Sequence, residues 1–108
     1  MKKYVLVLTS TDSVEEARKI AEGLVGDRLA ASAKVAGPLT GTYWWEGEVV
    51  SAQEWQCWAK TRMDRYKQVE EAIHRLHSYE VPEILAIPIH AGSSRYLAWL
   101  DRALAGES

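Results

Sequence analysis

Residues 43–61 read YWWEGEVVSAQEWQCWAKT, and the fold turns on how this stretch is understood. Tyr43-Trp44-Trp45 leads into Glu46-Gly47-Glu48, a turn, and the chain returns through a long run from Val49 to Thr61. The aromatics before the turn and the length of the return arm predict an extended β-hairpin. Period two along that arm puts Trp55, Cys57 and Ala59 on one side and Glu54, Gln56, Trp58 and Lys60 on the other.

Upstream, Tyr4 to Leu8 is apolar without alternation and reads as a strand with both faces buried. Ser13-Val14-Glu15-Glu16 offers a capping box, Ser13 accepting from the helix and Glu16 reaching back. Val14, Ala17, Ala21, Leu24 and Val25 follow at helical spacing, with Ile20 beside them, until Gly26-Asp27. Leu29 to Val35 reads as a strand closed by the Gly37-Pro38 break. Downstream of the hairpin, Asp64 is the expected N-cap of a second helix with Tyr66, Val69, Ile73 and Leu76 on one face. That helix ends near His77-Ser78, and Pro82 prevents its continuation. Glu83 to Ile89 is a further strand, apolar on both sides, in which Pro88 suits an edge or bulge. Ser93-Ser94 opens a last helix carrying Tyr96, Leu97, Trp99, Leu100 and Leu104, followed by a loose tail at Ala105–Ser108.

The order βαββαβ plus a terminal helix defines an α+β chain of the ferredoxin-like plan, a single domain over residues 1–108 with two helices on one face of an antiparallel sheet. The other face stays uncovered. Left wet, it would present more apolar surface than the few hundred Å² that monomers tolerate, and copies of the same chain are the simplest cover.

Composition narrows the function. Hydrophobic residues are 47% and charged ones 26% of the 108, the balance of a globular domain. A net charge of −2, with bases interleaved among acids, argues against a nucleic-acid partner. The apolar run after Met1-Lys2-Lys3 is too short for a signal peptide, and no stretch approaches a membrane span. One cysteine, Cys57, rules out an intrachain disulfide framework, so the cytoplasm is the expected compartment.

Four of the five tryptophans lie between residues 44 and 58, as packing or interface anchors or as a ligand-stacking platform. His77-Ser78-Tyr79-Glu80-Val81-Pro82-Glu83 gathers an imidazole, a phenol and two carboxylates after a helix. His77 could bind a transition metal and the carboxylates could move protons; equally, His77 could cap helix carbonyls and Glu83 pair with a base. His74 shares a helix face with His77 at i, i+3, and His90 is a weaker candidate at a strand end. No HxxxH, HExxH, CxxC or GxSxG spacing occurs, and the scattered glycines form no phosphate cradle. Cys57 reads as a small buried hydrophobe. An enzyme would have to use Glu54 or Glu83 as a general base.

Tyr43-x-Trp45-x-Gly47, Glu54, Lys60-Thr61, Tyr79-x-x-Pro82-Glu83-Ile84 and Tyr96-Leu97-x-Trp99-Leu100 together resemble the CutA family of divalent-cation tolerance proteins, as does Leu29-Ala30-Ala31. The resemblance covers nearly the whole chain. It implies a ferredoxin-like subunit of a tight homotrimer, with hairpins reaching across to neighbours and Trp44 and Trp58 at the interface. It further implies a link to tolerance of copper and other divalent metals with no settled enzymatic activity, and the expected role is non-enzymatic with no required cofactor. Clefts between subunits would hold Tyr43, Trp45, Glu54, Lys60, His77, Tyr79, Glu80 and Glu83, and Cu2+ or another divalent cation would meet His77 and Glu83. The chain departs from the family where copper matters: Thr9 stands at the first-strand cysteine position, Leu76-His77 replaces a His-His pair, and Ser78 replaces the proline. The alternative is a trimeric sensor like the PII signalling family, with Lys60 as partner to a small anion, although that family's long nucleotide-gripping loop is replaced by the short turn at 46–48.

Overall fold

The computed structural model describes residues 3–107; Met1, Lys2 and Ser108 lie outside the described residues. Four strands form one antiparallel sheet: β1 (Tyr4–Thr11), β2 (Ser32–Trp45), β3 (Glu48–Arg62) and β4 (Ile84–Pro88), in spatial order β2-β3-β1-β4. Helices α1 (Val14–Gly26), α2 (Tyr66–Leu76) and α3 (Ser94–Leu104) follow β1, β3 and β4. The hairpin is the dominant element. Trp45 pairs with Glu48 across a two-residue loop in which Glu46 and Gly47 both have positive φ, 49° and 82°. That is the turn whose twist matches paired strands, and glycine enters it without steric cost. The ribbon projects past the helices and gives the molecule its 45 Å long axis against 25 and 23 Å.

On one face of the sheet Val5, Val7, Cys57 and Ala59 pack with Ile20 and Leu24 of α1 and Val69, Ala72 and Ile73 of α2. Each large aliphatic side chain buried there contributes about 1.5–3 kcal/mol of transfer free energy. Burial pushes the Cys57 thiol up to about 11, which keeps it protonated and inert.

The opposite face is covered only at one end. There Leu100, Ala103 and Leu104 of α3 pack with Ala31, Tyr4 and Trp99. Asp101 fastens the helix to the sheet, accepting from the Tyr4 hydroxyl at 2.8 Å and from Arg62 at 3.2 Å. Arg28 and Arg65 donate to the carbonyls of Ala103 and Leu104, satisfying acceptors left over at the helix end. Further along, Leu6 pairs with Lys60 and Ile87, and Leu8 with Trp58 and Leu85. Leu6, Leu8, Trp58, Leu85 and Ile87 form an apolar row in which Trp58 is 38%, Ile87 44% and Leu85 51% exposed. Pro88 sits on β4 at the sheet edge, where its missing N–H costs no ladder bond.

Several local expectations need correction. Gly37-Pro38 does not end a strand: β2 runs through it, with a cis peptide and a register shift between Ala36 and Leu39, so one bulged strand replaces two segments. β1 extends to Thr11 instead of stopping at Leu8. Asp64 caps nothing; it lies in a 3-10 turn (Met63–Arg65) and pairs with Arg62, while α2 starts at Tyr66 with no side-chain cap. Ser13 does accept from the Glu16 N–H, but the Glu16 carboxylate turns away from the helix start to bind Ser78. The tail closes α3 through backbone bonds from Ala105, Gly106 and Glu107 as far as it is described.

Candidate functional site

The loop between α2 and β4 lies beside the root of the ribbon, held from both sides. The His77 Nε2–H donates to the Ser10 carbonyl at 2.7 Å, and its Nδ1 accepts from the Tyr79 N–H at 3.1 Å. The Tyr79 ring sits 4.8 Å from the imidazole, centroid to centroid. On the α1 side both Glu16 oxygens accept from Ser78, from its N–H and its hydroxyl. The Ser10 hydroxyl donates to Glu83 at 2.6 Å and accepts from Gln56 at 3.2 Å. Strand end, helix start and loop are thus joined around Ser10 and His77.

Between this loop and the ribbon opens a cleft of about 710 Å³. Tyr43, Trp45, Gly41 and Thr42 line it from β2, Glu54 from β3 and Ser10 from β1, while Tyr79, Glu80, Val81 and Glu83 close it from the loop. Gly41 leaves room for the carboxylate of Glu54, which lies across it where a Cβ would otherwise stand. The cleft brings three carboxylates and three aromatic rings together, and among the described residues none that lines it is basic. Burial first, then the charges of Asp12, Glu54 and Glu16 and the neighbouring Tyr43, raise the Tyr79 phenol above its ordinary 10.0. The hydroxyl therefore remains a neutral donor near pH 7.

The expected site residues divide accordingly. Tyr43, Trp45, Glu54, Tyr79, Glu80 and Glu83 converge. His77 is beneath them, buried, with both ring nitrogens engaged. Lys60 is elsewhere: it pairs in register with Ser32 and Leu6, and its ammonium lies 5.1 Å from the Tyr96 ring centroid beside α3. Trp44 is 73% exposed on the ribbon, paired with Val49, and Trp58 is on the open apolar face. His74 points outward toward Glu70 at 3.6 Å and does not join His77. Among the described residues no group of three His, Cys, Asp or Glu is close enough to hold a metal ion. The donors of a single chain therefore do not fit a resident copper ion, since the one buried imidazole has no free lone pair.

Sequence reasoning missed Ser10, Gly41, Thr42 and Val81 in the cleft. Gly41 carried a signal, because a lone glycine inside a strand marks close approach of another group. The others carried none.

The family model for the CutA1 divalent ion tolerance protein matches residues 5–103. The chain belongs to that family. It is 44% identical over 95 residues to the divalent-cation tolerance protein CutA of Thermus thermophilus, covering 88% of this chain and 92% of that protein. Identity to the Archaeoglobus fulgidus CutA is 35% over 98 residues, 91% and 95% of the two chains. Solved structures agree. The Archaeoglobus fulgidus structure, described as a periplasmic divalent cation tolerance protein, superposes with a TM-score of 0.89 at 34% identity over 94% of this chain and 98% of that one. The Thermus thermophilus structure gives 0.87 at 43% identity over 90% and 94%. An Arabidopsis thaliana relative, 34% identical over 99 residues, is named as chloroplastic and is matched over 54% of its length, with 92% of this chain covered. No helix among the described residues is long and apolar enough to cross a membrane.

Proposed function

We propose that this chain is one subunit of a homotrimer of ferredoxin-like subunits that serves divalent-cation tolerance without catalysing a reaction, and that the cleft is where it takes its ligand. The observation that carries the assembly is the open row of Leu6, Leu8, Trp58, Leu85 and Ile87 on a sheet whose other face is filled. Three copies, each offering this face and a projecting ribbon, bury what one copy leaves wet. The tolerance role is supported by family membership over residues 5–103. Copper is one candidate ion. Since the described residues of a single chain offer no donor set, a bound divalent ion would need donors from more than one copy, with His77 freed from Ser10 or Tyr79. The cytoplasm is the compartment assigned, supported by a chain whose one thiol, Cys57, is buried.

The small-anion sensor is the weaker reading. Its charge partner, Lys60, does not line the cleft, and among the described residues the charged groups that do are acidic.

The test is mass in solution combined with metal titration. Trp58→Glu places a charge in the proposed interface and is expected to reduce a three-subunit mass to that of smaller species. Retention of wild-type mass and Tm would reject that interface. Calorimetric Cu2+ binding that His77→Ala abolishes would support a metal site at His77; equal binding by both proteins would remove it.

A further inference from the structure

We infer that the cleft at the ribbon root takes a small organic cation, an ammonium group carried on an apolar body, in preference to a bare metal ion or an anion. The inference deepens the ligand-cleft part of the proposed function and rests on it.

Size is the first reason. About 710 Å³ is within the range of small-molecule sites and far exceeds the space a single ion fills. A metal needs several donors converging at roughly 2.0–2.6 Å, and among the described residues no three suitable side chains are so placed. Separated carboxylates suit a ligand whose charged end and body are extended in space.

Charge is the second. Glu54, Glu80 and Glu83 face the cleft, and no base among the described residues lines it. Glu83 is partly satisfied by the Ser10 hydroxyl at 2.6 Å, which fixes its direction and leaves acceptor capacity on a carboxylate that has two oxygens. Glu54 lies across Gly41, in space that the missing side chain leaves to it. The Tyr79 phenol is raised by burial first and then by Asp12, Tyr43, Glu54 and Glu16, so Glu54 adds to it from within the cleft. An anion entering here would meet repulsion from every charged wall, whereas an ammonium donates to the carboxylates directly.

The walls are the third. Tyr43, Trp45 and Tyr79 are 42%, 62% and 41% exposed, leaving ring surface open to a ligand. Aromatic faces attract cations and also bury apolar carbon, a combination that metal ions and inorganic anions cannot use. Val81 adds an apolar side chain at the mouth, so the body of the ligand has somewhere to go.

The test is calorimetric titration of the wild-type protein with benzylammonium, benzyl alcohol, benzoate and Zn2+, with mass measured on the same samples. Benzylammonium is expected to bind at least tenfold more tightly than the alcohol or benzoate and to weaken as salt is raised. Glu54→Gln, isosteric and read alongside its Tm, is expected to weaken benzylammonium at least fivefold while leaving the melt unchanged. Trp45→Ala is expected to weaken it too, because it removes a wall and no charge. The inference is overturned if benzoate or the alcohol binds as tightly, if folded protein gives no heat with millimolar benzylammonium, or if Zn2+ competes with the amine and binds the more tightly. Amine binding by a monomer would support this inference while rejecting the assembly. A trimer that binds no amine would reject this inference alone.

Discussion

The two faces of the sheet are built from alternate residues of the same strands, yet they end in different environments. Val5, Val7, Cys57 and Ala59 look toward α1 and α2 and are at most 2% exposed. Leu6, Leu8, Trp58, Leu85 and Ile87 look the other way, on the face that α3 covers at the end near Tyr4 and Ala31. The first set supplies the burial that folds the chain; the second is chemically just as apolar but has no partner within it. Because the side-chain period of a strand is two, a single run such as Tyr4–Leu8 encodes both jobs at once. A uniformly apolar strand is therefore a statement about assembly as well as folding.

Perturbing the two faces separates these jobs. Ile20→Ala, in the filled core, is expected to cost about 2–5 kcal/mol, read as a lower urea midpoint at fixed subunit concentration. Leu85→Ser, on the open face, should cost roughly 1–2 kcal/mol, and only where copies associate. Its stability loss should therefore vanish on dilution; a loss independent of concentration would place Leu85 in the folding core instead.

Asp101, which ties α3 over the end of the open face, should give a smaller, pH-dependent effect. The Tyr4 hydroxyl first, and then Arg62 and Lys3, hold its carboxyl below the usual 3.8. A depressed carboxylate contributes its stability above the unfolded value and loses it as pH falls through the folded one. Stabilities of wild type and Asp101→Asn should differ by under about 1 kcal/mol above the ordinary carboxylate value and draw together as pH falls through the lower folded value, because solvent screens a partly exposed group. Gly41→Ala should leave stability nearly unchanged while displacing the Glu54 side chain, so that benzylammonium binding falls more than Tm does.

Much of this is legible in the residues alone. The Ser13 and Ser93 caps, the Glu46-Gly47 turn, the edge position of Pro88 and the burial of Cys57 follow from local chemistry. What failed depended on distant partners. Asp64 looks like a cap in sequence, but it pairs with Arg62 and α2 starts without a side-chain cap. Gly37-Pro38 looks like a stop, but a bulge lets a long ribbon absorb it. Ser10 gave no warning at all, since its role comes from three contacts separated by 46 to 73 residues in sequence.

The most direct test of the open face is sedimentation equilibrium of the wild-type protein over a wide dilution series. The expected result is a species of three times the 12.1 kDa subunit mass that persists to micromolar concentration. A 12.1 kDa monomer that still melts cooperatively at micromolar concentration would contradict it, for the apolar row would then be stable in water without a partner.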